Sequence, residues 1–262
     1  MKGMMYLTIS MVLASACEAQ AVRGGLADVS VVDRDSGAVL GTHYHHGEYW
    51  VAGRPGGRYA IEIHNHLGER LLAVTSVDGV NVVSGESAAW DQNGYVLGPD
   101  DRYQITGWRK SDAEVAAFTF TDLANSYAAR TGRPANVGVI GVAVFRERQF
   151  PAVDQSTIAQ SSNRSDAARA AESAPMSPSS TLGALPPTAK LGTGHGEREY
   201  SHVDHTEFVR MRTQPNQVIR IHYDSMDNLL AMGIIPRSRP MPLVPDPFPG
   251  SRDQQFVPDP PG

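Results

Sequence analysis

The chain has 262 residues, 41% of them hydrophobic, and 28 acidic side chains against 23 Lys and Arg give a formal charge of -5. That balance lacks the concentrated basic face that general nucleic-acid binding needs, so no nucleic-acid partner is expected. A single cysteine rules out an intramolecular disulfide and any site built from several thiolates.

Lys2 precedes an apolar run from Met4 to Ala16, and the small-residue triplets Ala14-Ser15-Ala16 and Ala19-Gln20-Ala21 close it. This is the three-zone pattern of an export signal, and the apolar run is too short to span a bilayer. The sequence predicts a signal peptide over 1–21, cleavage after Ala21 and a periplasmic or secreted mature chain. Cys17 supplies an alternative. Ala14-Ser15-Ala16-Cys17 is an imperfect lipobox with its leucine, Leu13, one place early, and a cut before Cys17 would leave a lipid anchor. A cut after Ala21 leaves no cysteine, and hence no thiol nucleophile or thiolate ligand. No later apolar run reaches membrane-spanning length, so no transmembrane span is expected in the mature chain.

From 22 to 149 the pattern is that of short strands broken by turn residues. Ala27 to Val32 leads into Asp33-Arg34-Asp35-Ser36-Gly37, a turn that lacks the further oxygen ligands of a calcium loop. Glu48 to Ala52 ends at Gly53-Arg54-Pro55-Gly56-Gly57. Tyr59, Ile61 and Ile63 alternate with polar or small residues, the period of a half-buried strand. Leu71 to Val77 runs into Asp78-Gly79, a hairpin pair whose glycine accepts positive φ. Val80 to Val83, Tyr95 to Leu97, Tyr103 to Trp108, Val115 to Phe120 and Asn136 to Phe145 complete the set. Only Asp122 to Arg130 reads as helix, with Asp122 as its N-cap and Gly132 as its stop. The expected fold class is all-β: a β-sandwich or open barrel with one short helix.

Composition then changes. From Pro151 to Lys190 there is no aromatic residue, and Ala, Ser and Pro fill 22 of 40 positions, too little apolar surface to offset the entropy of ordering. A disordered linker is expected over 150–191. Tyr200 to Arg210, Gln217 to Tyr223 and Leu229 to Ile235 then read as a small β-meander over 192–236, near the lower limit for independent folding. Nine of the last 27 residues are proline, so 237–262 reads as an extended, proline-rich tail.

Several strings carry a resemblance: Ser76-Val77-Asp78-Gly79-Val80-Asn81-Val82, Gly107-Trp108-Arg109-Lys110-Ser111, Ser126 to Gly132 and Asn136 to Gly141. Across roughly 50 to 148 the chain resembles a group of uncharacterised exported bacterial proteins with a β-rich domain. The resemblance implies location and domain boundary, and carries no function.

Three sets of side chains could carry chemistry. His43 and His45, and likewise His64 and His66, sit two apart, so each pair on a strand shares a face and could offer imidazoles to zinc or copper. The alternative is two solvent-facing clusters. His202, Asp204, His205, His222 and Asp224 would converge only if the expected hairpin pairs in a favourable register. Trp108, Arg109, Arg130 and Arg133 could bind an anionic or sugar ligand by stacking and bidentate hydrogen bonds, or could equally be a buried Trp with arginines packed around it. Gly85-Glu86-Ser87-Ala88-Ala89 misses the second glycine of a nucleophile elbow, and Gly192-Thr193-Gly194-His195-Gly196 follows a linker instead of a strand, so neither a hydrolase nor a phosphate cradle is expected. The sequence points to a non-catalytic envelope protein without cofactor that binds protein or glycan; the alternative is a histidine-based zinc or copper metalloprotein, including an enzyme.

Overall fold

The computed structural model describes residues 21–149 and 190–237. All of the expected signal peptide but Ala21, Cys17 included, nearly all of the expected linker and the tail beyond Arg237 lie outside the described residues.

In chain order the strands are β1 (Ala27–Asp33), β2 (Thr42–His45), β3 (Glu48–Gly53), β4 (Arg58–Asn65), β5 (Leu71–Val77), β6 (Val80–Asn81) and β7 (Tyr95–Leu97). They continue as β8 (Arg102–Ile105), β9 (Gly107–Arg109), β10 (Glu114–Asp122), β11 (Val139–Arg146), β12 (Leu191–Tyr200) and β13 (Gln217–Ser225). Two short α-helices, α1 (Tyr127–Arg130) and α2 (Met226–Ala231), and 3-10 turns at Leu123–Asn125 and Pro134–Asn136 complete the described elements. One sheet runs β1-β4-β10-β12, with β8 beside β4 and β9 beside β10; the other runs β2-β3-β13-β11-β5-β6, with β7 beside β5. Buried side chains of both sheets form one core, Val29, Ile61, Ile63 and Phe118 from the first meeting Val51, Leu71, Ile140 and Ile221 from the second. The fold is an all-β sandwich with no closed barrel. No helix among the described residues is long and apolar enough to cross a membrane.

The period-two reading of β4 holds: Tyr59, Ile61 and Ile63 are fully buried, and each buried Ile is worth about 1.5–3 kcal/mol. The expected strand over Tyr103 to Trp108 is split. β8 pairs with β4 through Ile105↔Ile61, β9 pairs with β10 through Gly107↔Ala117, and the chain changes partner at Thr106. The expected helix after Asp122 is also divided. Asp122 makes no capping side-chain bond, a short 3-10 turn covers Leu123–Asn125, and Ser126 caps α1 by accepting from Ala129 N at 3.1 Å. Gly132 stops it as expected, at φ +77°.

The C-terminal segment departs most from expectation. No separate three-stranded meander forms over 192–236. β12 starts at Leu191, inside the expected linker, and pairs with β10, whereas β13 lies between β3 and β11 in the opposite sheet. Without β13 the second sheet would fall into two pieces, so this segment completes the sandwich. Tyr200 to Arg210 leaves the sheet after Tyr200, and Leu229, expected in a strand, sits buried in α2. Ser225 caps that helix by accepting from Asn228 N at 3.2 Å.

The glycine-rich start of β12 has a packing reason. A Cβ on Gly192 would lie 2.7 Å from both Ser126 Cβ and Val137 Cγ1, and one on Gly194 would lie 2.9 Å from Thr119 Oγ1. Gly192 lets the strand pass close to the start of α1, and Gly194 lets it lie close against β10. They do not form a phosphate loop.

Candidate functional site

The four residues grouped around Trp108 do not form one site. Trp108 is 3% exposed; its ring packs against Phe118 at 5.2 Å and Tyr127 at 4.8 Å, and Nε1 donates to the Gly194 carbonyl at 3.3 Å. It has no open face for a ligand. Arg133 donates to the carbonyl of Gly85 at 3.1 Å and to Thr131 Oγ1, and Arg130 is exposed at the end of α1. Arg109 turns the other way. Its guanidinium donates to Tyr95 Oη at 3.0 Å and to the carbonyl of Ser201 at 2.5 Å, clamping the chain where it leaves β12.

That clamp borders a concavity. Between β12 and β13 the chain crosses from the first sheet to the second as a strap. Ser201 N and Val203 N donate to Ala113 and Asp112 carbonyls, and further on Met211 N donates to Arg146. Phe208 packs on Leu72, Val74, Ala143 and Phe145, an apolar patch on the outer face of the second sheet. Arg210 stands 4.6 Å over the Phe145 ring, and Arg70 ties the strap to Glu147 while donating to Thr206 Oγ1 at 3.1 Å. A groove of about 960 Å³ runs along this strap. Tyr95 and Tyr103 line it with ring centroids 5.2 Å apart. Asp91, Asn93 and the pairs His205–Asp112 at 2.9 Å and His202–Asp204 at 3.2 Å line it as well.

The remaining members of the expected His/Asp group lie elsewhere. His222 stacks on Trp50 at 4.8 Å, and Asp224 accepts from Leu191 N, Ser225 N and Asn228 Nδ2 as a buried structural cap.

The four candidate metal histidines separate by sheet. His43 and His45 lie on β2 at the edge of the second sheet, opposite Trp50 and Glu48. His64 lies on β4 of the first sheet opposite Asp28, and His66 follows the end of that strand. Among the described residues, only the second pair gains a third donor. The ligand atoms of Asp28, His64 and His66 all lie within 4.8 Å of one another.

A buried polar chain is the feature sequence reasoning missed altogether. Asp78, at φ +54°, accepts from Tyr223 Oη at 2.5 Å and Gly138 N at 2.9 Å on one oxygen, and from Thr193 N at 2.8 Å on the other. Thr193 Oγ1 lies 2.6 Å from Tyr223 Oη and 2.6 Å from Tyr59 Oη. Because Tyr223 gives its hydrogen to the carboxylate, its oxygen must accept from Thr193, whose oxygen in turn accepts from Tyr59. Burial pushes the Asp78 carboxyl up, against the hydrogen bonds of Tyr223, Gly138, Thr193 and Val139 that pull it down. Burial likewise holds both tyrosines well above their ordinary range, so they remain donors. All four side chains are at most 1% exposed, so this chain holds the sandwich together and is closed to ligands.

Comparison with family models, with curated proteins and with solved structures finds no match to this chain.

Proposed function

We propose that this protein is an exported, non-catalytic binding module of the bacterial envelope, periplasmic or secreted, whose strap groove takes a neutral glycan. The observation that carries the reading is the groove itself: about 960 Å³ with a tyrosine pair among its walls and planar polar groups beside it. Ligand clefts combine an aromatic surface with a few placed hydrogen-bonding groups, and this one is of the size such clefts have. Charges of both signs meet there, Asp91, Asp112 and Asp204 against Arg109 and Arg210. A neutral chain of hydroxyl groups matches that mixture better than a highly charged ligand. Export rests on the N-terminal signal pattern and the resemblance to exported proteins, and Val22, the first residue after the expected cut, is buried and paired with Val29.

Saturation-transfer NMR with short soluble cellulose and chitin oligomers tests the glycan reading. The expected result is transfer to the sugar ring protons that Tyr103→Ala reduces about tenfold or more in affinity, since a stacked aromatic contributes about 1–3 kcal/mol. Transfer that survives Tyr103→Ala unchanged, or binding of an unstructured peptide and no oligomer, overturns it.

A further inference from the structure

We propose that Asp28, His64 and His66 form a divalent metal site, taking zinc through two imidazoles and one carboxylate, on the face of the first sheet. This does not rest on the glycan reading.

β1 and β4 run antiparallel with Asp28 directly opposite His64, so their side chains leave the sheet side by side on one face. His66 is two residues further on, where a strand end would ordinarily let a side chain wander. Here it is held. Asn65, between the two histidines, is fully buried; its Nδ2 donates to the carbonyls of Glu69 at 2.8 Å and Gly98 at 2.6 Å, and its Oδ1 accepts from Leu67 N at 2.9 Å. The backbone of His66 donates to Leu26 O at 3.0 Å. Asn65 thus fixes the bend that turns His66 back beside His64, with ring centroids 4.3 Å apart.

The carboxylate is held as firmly. Asp28 Oδ1 accepts from Gly24 N at 3.0 Å, which leaves Oδ2 free to face His66 Nε2 at 2.8 Å. Gly24 is itself confined: a Cβ there would meet Gln217 Nε2 at 1.7 Å and Ala27 O at 2.4 Å. Outer contacts that orient a ligand in this way strengthen metal sites.

Three donors gathered within 4.8 Å suit an ion whose bonds to nitrogen and oxygen run about 2.0–2.2 Å, after small rotations of the two rings. Neutral imidazole with one carboxylate suits zinc and copper over calcium or magnesium. The metal takes the place of the hydrogen between His66 Nε2 and Asp28 Oδ2, and the neutral imidazole then carries its hydrogen on Nδ1. With side chains of Asp28 and His66 19% and 37% exposed, the fourth tetrahedral position opens to water. The neighbouring cation, Arg102, sits across from His64 and is paired with Glu62 at 3.3 Å.

The test is equilibrium dialysis of the full chain, free of any histidine tag, against zinc chloride, with bound metal measured by plasma mass spectrometry. One zinc per chain is expected. His64→Ala, His66→Ala and Asp28→Asn should each weaken binding about tenfold or more, whereas the double variant His43→Ala/His45→Ala should bind as the parent does. Circular dichroism of each metal-free variant checks that it folds. Copper(II) substituted into the unaltered protein gives a reading that needs no variant: its electron paramagnetic resonance should carry hyperfine splitting from two imidazole nitrogens. Absence of stoichiometric zinc, loss of zinc in the His43/His45 variant alone, or a copper spectrum without two nitrogens overturns the proposal.

Discussion

Tyr223→Phe removes one oxygen from the middle of the sandwich and tests the buried polar chain directly. That oxygen donates to Asp78 at 2.5 Å and accepts from Thr193 at 2.6 Å. A hydrogen bond to a charged group contributes about 1.5–3 kcal/mol, and a hydroxyl left without a buried partner costs about 1–3 kcal/mol. Thr193 can still turn toward Tyr59, which recovers part of the second loss, and Asp78 keeps two backbone donors. The net destabilisation is therefore about 3 kcal/mol, or a melting point lower by about 6–12 °C for a domain of this size. Tyr59→Phe should cost less, about 1 kcal/mol, because Tyr59 is the terminal donor of the chain and bonds only a neutral hydroxyl. Urea unfolding followed by tryptophan fluorescence measures both, with Tyr44→Phe, 66% exposed, as the unaffected control. A Tyr223→Phe change below about 0.5 kcal/mol, or Tyr59→Phe costing more than Tyr223→Phe, refutes the directed chain.

Two further outcomes follow from the same interior. The Asp78 carboxyl is pushed up by burial, so the folded state holds its proton to higher pH than the unfolded chain. The Asp78 contribution to stability then falls as pH rises from the ordinary aspartate range, about 3.9, through the raised folded value, and is flat beyond it. Asp78→Asn tolerates the positive φ but sets an amide against either Thr193 N or Gly138 N; it should be less stable throughout, with the gap to the parent narrowing across that window in urea titrations at stepped pH. Gly107→Ala places a Cβ 2.1 Å from Ala116 O, a backbone atom of the paired strand, and should cost about 1–3 kcal/mol with β9 displaced from β10, seen as faster exchange of the Lys110 and Phe118 amides, which donate to Glu114 and Thr106 across that pair.

Local chemistry was legible in the sequence and long-range pairing was not. Strands such as β4 and β5 announce themselves through alternation and β-branched runs, and the Asp78-Gly79 turn through residues that accept positive φ. The proximity of His64 to His66 could be read from spacing, but Asp28 could not: it joins them only through the β1–β4 register, and one residue of slip would turn it to the other face. The C-terminal strands were harder still. β13 pairs in parallel with β3, more than a hundred residues upstream, and antiparallel with β11 across the 150–191 stretch. Nothing in the period of Gln217 to Tyr223 distinguishes a central strand from one arm of a local hairpin. What distinguishes it is the inward row of β12 and β13, where Thr193 and Tyr223 meet Asp78 and Tyr59 of the earlier chain. A polar group buried at the wrong register would lose its partners at about 1–3 kcal/mol each, so this row penalises every alternative docking of the late strands. An unremarkable Asp-Gly turn therefore carries two duties: it reverses β5 into β6, and its carboxylate gives the C-terminal segment one place to dock.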